Sequence, residues 1–320
     1  MTARHHRILL SALAPILVVL FAANRRLSAT KQPQRLAVVQ FVDASDEYLW
    51  GVYSTHVQLK KFNMTPTVDH IAMVSQDISD SSRSLLSDWL GANAIVEFDR
   101  NYILKRLMGD ETLRQGVFLK LQAFNLTQYD KIILLDNDLL VRRSIMHWFD
   151  YPAPAATGSR GMMEFNSGAM VIEPRTSLFG TMMEYLPLTK RWNIRGGYKG
   201  TDDPWNSLGG QQGFMSAFFA SNVTDDTIFT MPYGHSILSS DLDDRPENEY
   251  YWRHRPEVFE TVHFTKHKPW KRNKKTYNEV TCAMLREWEE SVKDAPVDLL
   301  PKLGDFLQDC PPLIEESKVE

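Results

Sequence analysis

The sequence predicts an α/β fold: an open, mostly parallel sheet flanked by helices. Three observations carry that reading. Short apolar runs of strand length alternate with longer segments of helical periodicity. The apolar runs are continuous rather than alternating, as in strands covered on both faces. One of them, Lys131–Leu135, runs into Asp136-Asn137-Asp138, and ligands of such sheets bind beyond the carboxyl ends of strands.

In chain order, Leu36–Val42 (Leu-Ala-Val-Val-Gln-Phe-Val) reads as the first buried strand. Asp43–Trp50 is polar and ends in aromatics, and a helix follows through Lys60. Val68–Val74 is the second strand. Ser79–Leu90 is helical, with serines and Asp80 as caps and Leu85, Leu86, Trp89 and Leu90 as its apolar side. Ala94–Phe98 is a third, short strand. Asp110–Thr127 carries Leu113, Val117, Leu121 and Phe124 at three- and four-residue spacing, the pattern of an amphipathic α-helix. Lys131–Leu135 then feeds the two aspartates, whose i, i+2 spacing at a strand end directs both carboxylates to one face. Two such carboxylates repel each other unless a cation sits between them.

Phe165–Glu173 is a further strand, in which Gly168 permits close backbone approach and which Pro174 ends. Arg191–Gly210, rich in Gly, Trp, Asp and Pro, reads as a long loop of the kind that is often functional. Gln211–Ala220 is a short helix, Asp241–Arg255 is polar and irregular, and Tyr277–Val292 is the last helix. The chain has no internal repeat.

Composition narrows the class. The 320 residues are 43% hydrophobic and 24% charged, as in a globular protein with a real core. A net charge of −4 gives no reason to expect nucleic acid. The basic run Lys266–Lys275 is local and follows the acidic segment Asp241–Glu249, so both read as solvated surface. At the N-terminus, Arg4, His5, His6 and Arg7 precede an apolar run from Ile8 to Ala23, broken only by Ser11 and Pro15. Such a run covers ~24 Å as a helix, slightly short of a ~30 Å hydrocarbon core. Cleavage after Ala22 or Ala23 would put Leu20 or Phe21 at position −3, where a small residue belongs. The expectation is therefore an uncleaved signal anchor, with a cleaved signal peptide as the alternative. Either directs the rest of the chain into the secretory pathway. The sequons at Asn63, Asn125 and Asn222 agree with a luminal location. Cys282 and Cys310 are the only cysteines; a disulfide that staples the tail and two free thiols both remain open.

Asp136-Asn137-Asp138 alone would also suit a turn cap. It lacks the surroundings of a haloacid-dehalogenase-type phosphatase, and the chain has no Walker A, Gly-x-Ser-x-Gly or His-Glu-x-x-His sequence. Other stretches join it in order. They are Leu119-Lys120-Leu121 with Leu126-Thr127-Gln128-Tyr129; Leu134–Asp138 with Ile145 and Trp148-Phe149-Asp150; and Phe165-Asn166-Ser167-Gly168-Ala169-Met170-Val171. Gly209-Gly210-Gln211-Gln212-Gly213-Phe214 follows, then Val262-His263-Phe264 with Lys268-Pro269-Trp270. Taken together, over residues ~36–270, the chain resembles the glycogenin-like glycosyltransferases, family 8 of the retaining enzymes with the GT-A fold.

That resemblance implies a Rossmann-like GT-A domain over residues 35–275, after a cytosolic tail, signal anchor and short stem over 1–34 and before a helical and irregular tail over 276–320. It implies Mn²⁺ held by Asp136, Asp138 and His263, a donor set that suits this ion. Lys120 would lie near the donor phosphates and sugar, where its residue type alone suggests a snorkelling surface lysine. Lys268 would meet the diphosphate and Tyr48 the uracil. Asn166 and Ser167 would line the sugar pocket together with Gln211, and Gln212 would stand beside the anomeric carbon. The implied partners are a UDP-sugar, a glycan or glycoprotein acceptor, and a Golgi or other secretory membrane; a homodimer is left open. The family usually has Asp-Gln-Gly where this chain has Gln211-Gln212-Gly213, and an acidic residue is frequent where this chain has Leu208.

Overall fold

The computed structural model describes residues 34–43, 46–107, 115–158, 165–188, 190–191, 206–207, 210–221, 223–243, 246–265, 268–271, 278–296 and 310. The expected N-terminal anchor, most of the 191–210 loop, the sequon at Asn222 and most of the chain after 296 lie outside the described residues. The described residues from Arg35 onward belong to one compact unit. Among the described residues no helix is long and apolar enough to cross a membrane.

Seven strands make the main sheet. In chain order they are β1 (Leu36–Val42), β2 (Val68–Ser75), β3 (Ile95–Phe98), β4 (Lys131–Leu135), β6 (Ala155–Gly158), β7 (Phe165–Ile172) and β10 (Phe229–Met231). Their spatial order is β10-β6-β7-β4-β1-β2-β3. β1 runs parallel to β2 on one side and β4 on the other, with Leu36 opposite Val68 and Lys131. β7 runs antiparallel to both β4 and β6, so the sheet is mixed. A three-stranded sheet combines β5 (Leu139–Val141), β11 (Ser236–Leu238) and β12 (Thr261–His263) in the order β11-β12-β5. β8 (Lys190–Arg191) pairs with β9 (Asn206–Ser207). The expected strands are all present. β5, β6, β10, β11 and β12 were not foreseen, because three or four residues are too few to show a period.

Helices α1 (Leu49–Lys61), α2 (Asp80–Leu90), α3 (Thr176–Tyr185), α4 (Gln211–Ala220), α5 (Pro246–His254) and α6 (Glu279–Val292) surround the sheets. Ser79 caps α2 by accepting the Ser82 amide at 3.1 Å, and Asn278 caps α6 by accepting the Thr281 amide at 2.7 Å. α6 packs on α1, where the rings of Trp288 and Trp50 meet at 6.5 Å. Cys282 on α6 forms a disulfide with Cys310. Trp50, Trp148 and Trp288 are each essentially inaccessible. Burying a large apolar side chain contributes ~1.5–3 kcal/mol, so these three help fix the contacts around α1 and β5.

Two expectations need correction. The α-helix expected over Asp110–Thr127 is a 3₁₀ helix over Gln115–Asn125 in its described part. Its threefold period aligns Phe118, Leu121 and Phe124, all buried, and leaves Val117, expected on the apolar face, 39% exposed. The segment Asp241–Arg255, expected to be irregular, is largely helical in its described part. A short turn over Ser239–Asp243 precedes α5, which begins at Pro246; proline suits a first helical turn.

Candidate active site at the end of β4

β4 ends at Leu135, and Asp136–Asp138 form the turn into β5. The carboxylates thus meet through that turn rather than through strand alternation. The turn is pinned from three sides. The Asp136 amide donates to the Gly168 carbonyl on β7 at 2.7 Å, and the Phe264 amide donates to the Asp138 carbonyl at 2.8 Å. The Asn137 side chain donates to the Phe41 carbonyl of β1 at 2.8 Å. α1 lies so close that a Cβ on Gly51 would fall 1.8 Å from the Asn137 carbonyl oxygen. Gly51 was not singled out in the sequence; a glycine inside a helical segment was the available signal.

The antiparallel pairing of β12 with β5 sets His263 opposite Leu139. It brings the His263 Nε2 within 3.2 Å of Asp138 Oδ1 and 3.8 Å of Asp136 Oδ2. The ring rests against Gly168, where an added Cβ would lie 2.3 Å from His263 Cε1. The expected close approach at Gly168 is therefore the approach of this imidazole.

Two lysines neutralise the acids. Lys120 Nζ sits 2.6 Å from Asp136 Oδ1 and 3.4 Å from the Ser167 carbonyl. It is buried, so it is no snorkelling surface lysine. Lys268 Nζ bonds to Asp138 Oδ2 and to the Phe264 carbonyl. Burial pushes the Asp138 carboxyl up, but the His263 imidazole and Lys268 ammonium beside it outweigh burial and hold it well below the usual carboxylate range.

Behind the acids, Ser167 gathers both glutamines of α4. Its hydroxyl donates to Gln211 Oε1 at 3.0 Å, and its amide donates to Gln212 Oε1 at 3.1 Å. Asn166 Oδ1 accepts the Gly168 amide at 2.7 Å. Nine of the ten expected site residues are thus linked through one network. The tenth, Tyr48, packs edge-on against Trp270 with ring centroids 5.5 Å apart.

The donor set fits a divalent cation. Two carboxylates and an imidazole offer ligand atoms within 4.8 Å of one another, and octahedral bonds of ~2.1 Å want neighbouring ligands ~3 Å apart. His263 Nε2 already faces the acids, while its buried Nδ1 has no hydrogen-bond partner.

No family model matches the chain. Curated relatives include UDP-glucuronate:xylan alpha-glucuronosyltransferase 1 of Arabidopsis thaliana, 26% identical over 74% of this chain and 33% of that protein. The chain thus spans about a third of that relative's length. Glycogenin-1 of Homo sapiens is 25% identical over 85% of this chain and 72% of its own. Among solved structures, the WbbM bifunctional glycosyltransferase superposes with a TM-score of 0.58 at 13% identity, covering 84% of this chain and 51% of that one. With its seven-stranded mixed sheet and its acid–acid–histidine cluster at the end of β4, the chain has the GT-A fold and is similar in sequence to glycosyltransferases that include glycogenin-1.

Proposed function

We propose that the chain is a metal-dependent retaining glycosyltransferase. It moves a hexose or related sugar from a UDP-sugar to a glycan or protein-linked acceptor in the secretory pathway. The observation that carries this reading is the convergence of Asp136, Asp138 and His263 beyond β4. Asp136, Asp138 and His263 would hold Mn²⁺, which would supply Lewis-acid stabilisation to a diphosphate leaving group. The chain's own residues do the rest. Lys268 exchanges its bond to Asp138 for the donor diphosphate and remains as a fixed cation while charge develops there. Lys120 keeps Asp136 oriented and faces the sugar side. Asn166, Ser167 and Gln211 shape the sugar pocket, and Tyr48 with Trp270 receives the uracil.

Gln212 presents an amide oxygen beside Ser167, where its dipole steers the electron-poor anomeric centre. Neither Gln211 nor Gln212 is a carboxylate, so the two-carboxylate covalent route of retaining hydrolases has no nucleophile at this position. Attack occurs from the face of departure, and the leaving diphosphate takes the acceptor proton. The Cys282–Cys310 disulfide supports an oxidising compartment. Membrane attachment through residues 1–34 and a Golgi location complete the proposal.

A second reading, a family member that binds nucleotide sugar without turnover, draws on Gln211, whose amide is occupied by Ser167 and the Met215 sulfur. Free UDP separates the two. The full chain is incubated with Mn²⁺ and a panel of UDP-sugars, beginning with UDP-glucuronate. Release of UDP that requires Mn²⁺ and is lost in Asp138→Asn is the expected result. Absence of release from every donor, with UDP still bound, leaves the second reading standing.

A further inference from the structure

Five residues past β5, the chain enters a short 3₁₀ turn, Met146–Asp150, that exposes His147. His235 ends the turn before β11, and Glu260 immediately precedes β12. These three side chains, far apart in sequence, meet at the end of the β5–β12 pair opposite to His263. His147 Nε2 lies 3.3 Å and His235 Nδ1 3.0 Å from the same oxygen, Glu260 Oε2. The function proposed above uses none of them.

We propose that His147, His235 and Glu260 form a second metal site, fitted to Zn²⁺. The argument is geometric and independent of the glycosyltransferase reading. Zinc takes imidazole nitrogen and carboxylate oxygen at ~2.0–2.2 Å, and tetrahedral bonds of that length place neighbouring ligand atoms ~3.3 Å apart. The ligand atoms of this cluster fall within 4.8 Å of one another, two of the pairs at 3.0 and 3.3 Å. His147 leaves the fourth position open to water.

The outer partners are those a zinc site wants. The second ring nitrogen of His235, Nε2, bonds to the Tyr151 hydroxyl at 2.7 Å, which fixes the ring with Nδ1 facing Glu260. The Glu260 carboxylate is held by the Trp148 indole N–H at 2.7 Å, and Trp148 itself is fully buried. An ion here clasps the segments that lead out of β5 and into β11 and β12. It thereby fixes the three-stranded sheet that carries His263.

The test uses the untagged full chain carrying Asp136→Asn and Asp138→Asn, which removes the carboxylates of the donor cluster. Zinc chloride is added by calorimetric titration, followed by dialysis and metal analysis. The proposal expects one zinc per chain with micromolar or tighter affinity. It expects X-ray absorption to show nitrogen and oxygen ligands at about 2.0–2.2 Å, and zinc to raise the Tm by about 3–5 °C. Adding His147→Ala, an exposed position whose loss leaves the core intact, weakens zinc uptake at least ~10-fold with an unchanged circular dichroism spectrum. The proposal is overturned if the parent retains no zinc, so that Glu260 is only a hydrogen-bonded hub, or if His147→Ala binds zinc as tightly as its parent.

Discussion

β5 and β12 are three residues long, and each end of the pair gathers side chains of metal-ligating type. At one end Asp136, Asp138 and His263 meet, and at the other His147, His235 and Glu260. Glu260 and His263 are separated by ~10 Å of strand. Their surroundings differ in kind. The first cluster carries two carboxylates, each bonded to a lysine. The second carries one carboxylate, held by a neutral indole, and an imidazole held by a neutral phenol. Lysines can be exchanged when a polyanion arrives with its own counter-ion, which suits a site that loads and unloads a diphosphate. Neutral donors orient ligands without competing for an ion, which suits a resident one.

Mutation separates the two ends. Asp138→Asn removes the buried carboxylate of the proposed ion site, and Mn²⁺-dependent UDP release is expected to fall at least ~100-fold. Zinc bound per chain at the far cluster should not change. A loss of both would show that the ends are one site. Gly168→Ala drives a methyl into the His263 ring. It should lower stability by ~1–3 kcal/mol, read by urea unfolding, and cut UDP release ~10-fold. Lys268→Met should raise the KM for the UDP-sugar ~10-fold with a smaller effect on kcat if its cation mainly binds the diphosphate. His147→Ala should leave UDP release within ~2-fold of the parent.

Acid acts on both ends with the same sign. Asp138 and Glu260 both titrate below their ordinary values of 3.8 and 4.5. A depressed carboxylate adds stability that is fully present above its unfolded value and is lost as pH falls through the folded one. Tm measured from pH 6 to pH 2 should therefore drop chiefly below about pH 4.5. In Lys268→Met the Asp138 share of that drop should shrink, while the Glu260 share stays.

The same comparison explains what could be read from sequence. Asp136 and Asp138 sit two residues apart after a continuous apolar strand, so short-range spacing exposes them. His263 could be joined to them only through the family resemblance, because its partner strand, β5, is too short to show a pattern. His147, His235 and Glu260 carry no spacing signal at all; β5 and β12 bring them together. Lys120 lies beside Asp136, and the helix that carries it differs in type from the one expected. The apolar residues of that segment satisfy an i, i+3, i+4 pattern and a threefold one almost equally, and packing of Phe118, Leu121 and Phe124 selects the latter. Gly51 shows the limit from the other direction, since only the close approach of the Asn137 carbonyl explains why that helix position is bare.

The central claim is that Asp136, Asp138 and His263 bind one divalent ion, through which the chain grips a nucleoside diphosphate. Calorimetric titration of UDP into the full chain, with and without Mn²⁺, tests it most directly. The account predicts binding at least ~100-fold tighter with Mn²⁺, about 2.7 kcal/mol, and loss of that difference in His263→Ala. Equal affinity in the two buffers, or an Mn²⁺ effect that survives His263→Ala unchanged, would contradict it.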